Sequence, residues 1–382
     1  MMRVLSSACL WLTLLCGIAS ADGYSDFNAG VASAMRDESD SAIKSLTQAL
    51  ASPDLPQHLQ AVAYLSRGHE FAETHRLDAA IADYTAALKL KPDYLDAYVS
   101  RCRAYAENRQ YADAISDCSS AIRVQPANWR LHELRIDLYE QARHYDDAIA
   151  DYSAFIAARP DDISLLLGRA NILRLAGQYD KAMADAKAAH DAEFHSAWPY
   201  VAISSIAFSQ NKFDEAIDNI DSALDVESHY TDLYVLKGQM LWANGRLDRA
   251  SDTFEDIFAH DGMDPYAFLW LSLSEAARGK TVSADIVSRV EAVDQSRWPG
   301  PAVDLYLGKS TPEEVLQAAT KEADGLNHDQ CEADFYVGAW QQAHGHPDDA
   351  TRLLTAAVGA CDDTQKQLAT IALGRIQKAV AP

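Results

Sequence analysis

The chain has 382 residues, 48% of them hydrophobic, and its 56 acidic against 33 basic side chains give a formal charge of -23. Charge of that sign and size excludes a general affinity for nucleic acid or for anionic membrane surfaces, and most of it reads as a solvated exterior. The length exceeds one compact domain and fits either two globular domains or one elongated array.

Residues 1–21 hold one Arg, an apolar run and the small-x-small sequence Ala19-Ser20-Ala21. This predicts a cleaved secretory signal peptide, with the mature chain starting at Asp22. Cys16 follows Leu14 and Leu15 instead of a small residue, which argues against a lipid anchor. No later stretch stays apolar over the roughly 20 residues that a spanning helix needs, so stable membrane insertion is not expected. The expected compartment is the bacterial periplasm; a eukaryotic secretory lumen stays open, although the terminal AVAP carries no retention signal.

A repeat then governs the chain. The Ala of a D-A-I triplet, or its equivalent, stands at Ala80, Ala114, Ala148, Ala182, Ala216 and Ala250, each 34 residues after the last. An earlier match, Ala42, lies 38 residues before Ala80, the extra four falling around Pro53 and Pro56. Twelve residues before these positions come Gly30, Gly68, Cys102, Ile136, Ala170, Ser204 and Gly238, mostly small. Small residues where two antiparallel helices cross let them approach closely. Neither helix can bury its apolar stripe alone, so the hairpins must stack.

The unit AYLSRGHEFAETHRLDAAIADYTAALKLKP carries Tyr64, Gly68, Phe71, Ala80, Tyr84, Ala87 and Pro92 in register. It resembles the tetratricopeptide repeat. That resemblance implies an all-α fold: a right-handed superhelix of stacked antiparallel helix hairpins, about seven units over 22–262, followed by irregular helices over 263–382. It also implies a groove, lined by the first helix of each unit, that binds proteins or peptides. In 263–382 the helix pair PYAFLWLSLSEAARGK and TVSADIVSRVEAVD has lost the signature. The stretches WPGPAVDLYLGKSTPEEVL and ADFYVGAWQQAHG resemble the C-terminal part of the NlpI-like family of bacterial cell-envelope repeat proteins. This second resemblance implies scaffolding of enzymes that cut or build peptidoglycan, as a homodimer.

Two charged ladders share the period. Thirteen residues before the repeat Ala stand Arg67, Arg101, Arg135 and Arg169; three after it stand Asp83, Asp117, Asp151 and Asp185. In a hairpin turning near residue 75, Arg67 and Asp83 lie at one level. The following unit loses both at once, with Ile203 and Asn219. The joint loss predicts partners, Arg67 with Asp83, Arg101 with Asp117, Arg135 with Asp151 and Arg169 with Asp185, in preference to an anion-binding stripe. The cysteines obey the same symmetry: Cys102 and Cys118 flank a turn near Gln110, and Cys331 and Cys361 a turn near His346. These two pairings are the expected disulfides, with four buried thiols as the alternative.

No enzyme signature is present: H-E-x-x-H, G-x-S-x-G, a phosphate loop and C-x-x-C are all missing, so no catalytic residue and no cofactor is assigned. His344 and His346 lack a third ligand, and Asp261 and Asp264 lack the oxygen spacing of a calcium loop, so no metal site is assigned. The groove candidates are Arg103, Arg130, Asp137 and Asn171 in the early units and the aromatic Trp198, Phe208, Trp242 and Trp270 in the later ones. For Trp198, Trp242 and Trp270, packing beneath the C-terminal helices is the equal alternative. Leu65, His69 and Ser100 occupy the positions where chaperone-tail-binding members of the repeat family hold Lys and Asn, which excludes that carboxylate clamp. The expectation is a non-catalytic adaptor that holds other proteins, with no nucleic acid partner. An assembly factor for polysaccharide or protein export, and an accessory hydrolase from about Asp294 onward, stay open.

Overall fold

The computed structural model describes residues 22–193, 195–259, 263–292, 295–321, 328–361 and 363–380. The expected signal peptide, Asp261 and Asp294 lie outside the described residues. Among the described residues there are 21 helices and no strand, and none of the helices is long and apolar enough to cross a membrane. The all-α expectation holds.

The chain divides at His144 into two compact units. The first contains three helix hairpins, α1 (Gly23–Ala34) with α2 (Ser39–Ala51), α3 (Gln57–Glu73) with α4 (Leu77–Leu90), and α5 (Leu95–Glu107) with α6 (Tyr111–Val124), and ends on α7 (Trp129–Gln141). The second opens on α8 (Tyr145–Ala158). Three hairpins follow: α9 (Ile163–Leu175) with α10 (Tyr179–Ala192), α11 (Trp198–Ser209) with α12 (Phe213–Val226), and α13 (Thr231–Ala243) with α14 (Leu247–Ala259). Its remaining helices are α15 (Pro265–Ala277), α16 (Ala284–Glu291), α17 (Gly300–Tyr306), α18 (Pro312–Lys321), α19 (His328–Ala343), α20 (Pro347–Ala360) and α21 (Asp363–Val380).

The repeat positions do the packing that their size suggests. Ala42, Ala80, Ala114, Ala148, Ala182, Ala216 and Ala250 are all fully buried. In the α3–α4 hairpin the first helix has room opposite for no more than a small side chain: a Cβ on Gly68 would stand 2.6 Å from the Tyr84 ring, whereas α7 carries the larger Ile136 at the same position. The hairpins turn through a residue at positive φ, His75, Arg109, Asn211, Gly177 or Gly245. In the first of these the His75 and Arg76 amides donate back to the Ala72 and Phe71 carbonyls, satisfying groups the helix end leaves open.

Period and packing part after α14. The next Ala in step is Ala284, and it is exposed. The arrangement returns in the α19–α20 hairpin, where Gly338 and Ala350 repeat the twelve-residue offset and a Cβ on Gly338 would lie 3.0 Å from Leu354. Between them α15 packs against α17 and α19, and α21 follows α20 and lies against α11.

The Arg and Asp ladders meet across each hairpin. Arg67 Nε and Nη2 donate to Asp83 at 2.7 Å each, Arg101 to Asp117 at 2.6 and 2.7 Å, and Arg169 to Asp185 at 2.7 and 2.8 Å. These hydrogen bonds hold the Arg101 and Arg169 guanidinium groups above their ordinary pKa. Arg135 and Asp151 belong one to each unit.

A third partner, which the charge pattern does not announce, completes each rung. Nη1 of the same arginines donates to a hydroxyl on the second helix of the preceding hairpin: Arg67 to Thr47, Arg101 to Thr85, Arg135 to Ser119 and Arg169 to Ser153, at 2.7 to 3.0 Å. Each of these hydroxyl residues stands five after a repeat Ala, and Thr47, Thr85 and Ser153 donate in turn to the backbone oxygen four residues back. One guanidinium thereby ties three successive helices. In the α13–α14 hairpin the chemistry is exchanged: Lys237 replaces the Arg, its ion pair at 2.7 Å goes back to Asp221 in the hydroxyl position, and Thr253 occupies the Asp position.

The cysteines pair as expected. Cys102 and Cys118 have their Cα atoms 5.8 Å apart, and Cys331 and Cys361 5.2 Å, with the sulfurs at bonding distance. Beside the second bridge, buried Glu332 accepts hydrogen bonds from the Tyr266 hydroxyl at 2.9 Å, the Trp298 indole at 2.6 Å and the Gln365 amide. One carboxylate therefore gathers α15, the 295–299 segment, α19 and α21. It also raises Tyr266 well above its ordinary pKa, after burial as the first cause.

Candidate functional site

Facing surfaces of α9 and α11 form a groove. From α9 come Ile163, Leu167, Ala170, Asn171 and Arg174, spaced so that one helical face presents them all. Trp198, Val201, Ala202, Ser205 and Ile206 do the same on α11, and the space between them is about 410 Å³. The walls are apolar apart from a few placed polar groups. Arg174 Nη2 donates to Asn171 Oδ1 at 2.9 Å and its Nη1 to Ser209 at 3.1 Å, fixing the amide. Asn171 Nδ2 has no protein acceptor among the described residues. Trp198 stands at the groove's edge, 52% exposed, its ring 5.9 Å from that of Tyr230.

Of the residues expected in a groove, the structure brings Asn171 and Trp198 together. Arg103, Arg130 and Asp137 lie exposed on α5 and α7 in the first unit. Phe208, Trp242 and Trp270 require a correction, because they are core residues, 3%, 5% and 1% exposed. The Trp242 and Trp270 rings stack edge to face at 5.3 Å, and Phe335 of α19 lies 5.3 Å from Trp270. The physical reason is that α19 and α21 fold back over the ends of α11, α13 and α15. Gln367 of α21 donates to the Phe208 carbonyl at 2.6 Å, and Arg375 stacks 4.1 Å above the Trp242 ring. The chain's own helices cover the surface that those three rings would have offered.

Other candidates resolve into local contacts. His344 stacks on Trp340 at 3.7 Å and bonds that residue's carbonyl, while Asp264 caps α15 by accepting from the Ala267 amide. Among the described residues no cluster of three His, Cys, Asp or Glu could hold a metal.

Models of the tetratricopeptide repeat family match residues 65–129, 133–194 and 207–269. The chain is a tetratricopeptide repeat protein. Such proteins are generally non-catalytic scaffolds that bind proteins or peptides, and the repeats support that general role here. This tetratricopeptide repeat protein is similar to several solved structures. One is a tetratricopeptide repeat protein from Parabacteroides merdae ATCC 43184, 19% identical, covering 66% of this chain and 98% of that one with a TM-score of 0.45. Another is YrrB, described as having an unusual peptide-binding site, 18% identical over 44% of this chain and 88% of that one, TM-score 0.35. A third, from Thermus thermophilus, is 21% identical over 48% of this chain and 99% of that one, TM-score 0.33.

Proposed function

We propose that this protein is a non-catalytic adaptor of the bacterial periplasm that holds other proteins by a peptide segment seated between α9 and α11. The carrying observation is the groove itself: apolar walls, an exposed Trp198 at the rim, and an oriented Asn171 amide whose N–H groups have no protein acceptor among the described residues. An apolar side chain of the segment fills the space between Leu167 and Val201, and Asn171 bonds a main-chain carbonyl beside it. The two cysteine pairs support an oxidising compartment. The resemblance of the C-terminal stretches to NlpI-like proteins makes enzymes of the cell wall the partner class to test first.

Photo-crosslinking from position 201 in envelope extract identifies the bound segment, whose affinity is then measured as a synthetic peptide. Trp198→Ala should weaken it by tenfold or more where the bound segment covers and desolvates the indole, since aromatic anchors so buried contribute about 2 kcal/mol. Equal affinity in Trp198→Ala and Asn171→Ala, with the fold retained, would remove the groove from the proposal.

A further inference from the structure

A second cavity, of about 300 Å³, lies where four helices converge: α13 contributes Trp242, α15 contributes Leu273 and Ala276, α19 contributes Ala339 and Gln342, and α21 contributes Arg375. Its chemistry is unlike that of the α9–α11 groove. Arg375 lies flat on the Trp242 ring, 4.1 Å from its centroid, and its Nη2 donates to the Trp242 and Ala243 carbonyls that end α13, at 2.5 and 3.3 Å. Those contacts occupy one nitrogen of three. A guanidinium has five N–H groups, and those on Nε and Nη1 have no acceptor among the described residues.

Among the described residues Arg375 also pairs with no carboxylate. Several other half-buried arginines do: Arg67 with Asp83, Arg101 with Asp117, Arg169 with Asp185, and Arg278 with both Glu275 and Asp248. Arg289, like Arg375, donates to a backbone carbonyl instead, that of Phe258. The α13 carbonyls supply only the partial charge of a helix end, and burial lowers the Arg375 pKa. The cavity thus offers guanidinium N–H groups, the Gln342 amide, the Trp242 ring and an apolar wall of Leu273, Ala276 and Ala339.

We infer that this cavity binds an organic carboxylate with a compact apolar body. Its oxygens accept from the guanidinium N–H groups that α13 leaves unused, in the charge-assisted geometry that a planar guanidinium favours, and its apolar body packs on α15 and α19. The Trp242 ring and the two α13 carbonyls hold the guanidinium in place, so its remaining donors are positioned before the ligand arrives. The carboxylate can belong to a free small acid or to the end of another chain.

The test uses the full chain and two matched pairs of probes: 4-methylpentanoate against 4-methylpentanamide, and a short Leu-terminated peptide with a free or an amidated terminus. Calorimetry and thermal unfolding read binding. The inference expects heat and a concentration-dependent rise in Tm with at least one carboxylate and with neither amide; which acid binds names the source. It also expects loss of that response in Arg375→Gln. Should Arg375→Gln fail to fold, Ala276→Phe, which fills the cavity from an exposed position, serves in its place. Amides binding as well as acids, no response to either acid, or an undiminished response in the folded variant would overturn it.

Discussion

Arg101 and Asp117 allow the ladder to be tested as a register device. Their side chains are 16% and 7% exposed and share two hydrogen bonds, with a third from Arg101 Nη1 to Thr85. Arg101→Met removes the cation, keeps most of the stem's packing volume and leaves Asp117 as a buried carboxylate without its partner. That should cost about 3–5 kcal/mol. Thr85 loses little, because its hydroxyl still donates to the Ile81 carbonyl at 2.7 Å. Replacing both members, Arg101→Met with Asp117→Leu, removes the desolvated pair altogether and should return stability to within about 1 kcal/mol of wild type, or above it. Urea unfolding followed by far-UV circular dichroism measures all four corners of the cycle, with equal m-values required before free energies are compared. A single variant costing under about 1 kcal/mol, or a double variant costing the sum of the singles, would refute the pairing. Unaltered stability with lost ligand binding would instead return the ladder to the anion-site reading.

The cysteine bridges should contribute with the logarithm of the loops they close: with separations of 16 and 30 residues, the chain-entropy relation gives about 3 kcal/mol for Cys102–Cys118 and about 3.6 kcal/mol for Cys331–Cys361. Paired Ala variants measured by urea unfolding check both, and indifference to either pair would show that its bridge does not constrain the unfolded chain. His69, bonded to Ser100 at 2.8 Å and set against the Tyr84 ring, is desolvated by its neighbours and has its pKa lowered. The folded state therefore disfavours the imidazolium: stability is fully present above the unfolded value of about 6.5 and declines as pH falls from there through the folded pKa. An NMR titration should place the His69 midpoint below about 6.5, and His69→Gln should flatten that limb of the stability curve. A midpoint on the other side of the unfolded value would contradict the sign.

The repeat was legible because packing against a neighbour of the same shape imposes one residue size at one interval. The Ala148 position is small in every unit and the Gly68 position in all but that of Ile136, and the Arg–Asp rungs announced themselves by disappearing together. Thr47, Thr85, Ser119 and Ser153 are equally periodic but carry no such signal, since a hydroxyl on a helix ordinarily bonds its own backbone and needs no distant partner. The burial of Phe208, Trp242 and Trp270 had no periodic trace at all. It depends on α19 and α21, far downstream of Phe208 and Trp242, and a contact made once leaves no interval to measure. Of the groove, Asn171 and Trp198 could be named from their places on first helices. Val201 and Leu167 could not be told from core residues, because an apolar groove and an apolar core use the same side chains.

The change in the ladder and the position of the groove have a common physical basis. Arg169 is the last arginine of the series; at the next unit its place is taken by Ile203, 8% exposed, and the preceding hydroxyl position is Lys187. Where the guanidinium ties three helices, the junction between hairpins is polar and its geometry is set by directional bonds. At α11 that role passes to apolar contacts, Ile203 and Ile206 against Leu173 and Ala186 among them, before the Lys237–Asp221 pair joins α13 to α12. Non-directional packing tolerates a wider choice of side chains on the adjoining face, and there α11 presents Trp198, Val201 and Ala202. The same freedom lets the later first helices carry Phe208, Trp242 and Trp270, which the C-terminal helices then cover. The α9–α11 groove is consequently bounded by the last arginine rung on one side and by the docking of Gln367 on α11 on the other, which confines a bound segment to the length of surface those two features leave between them.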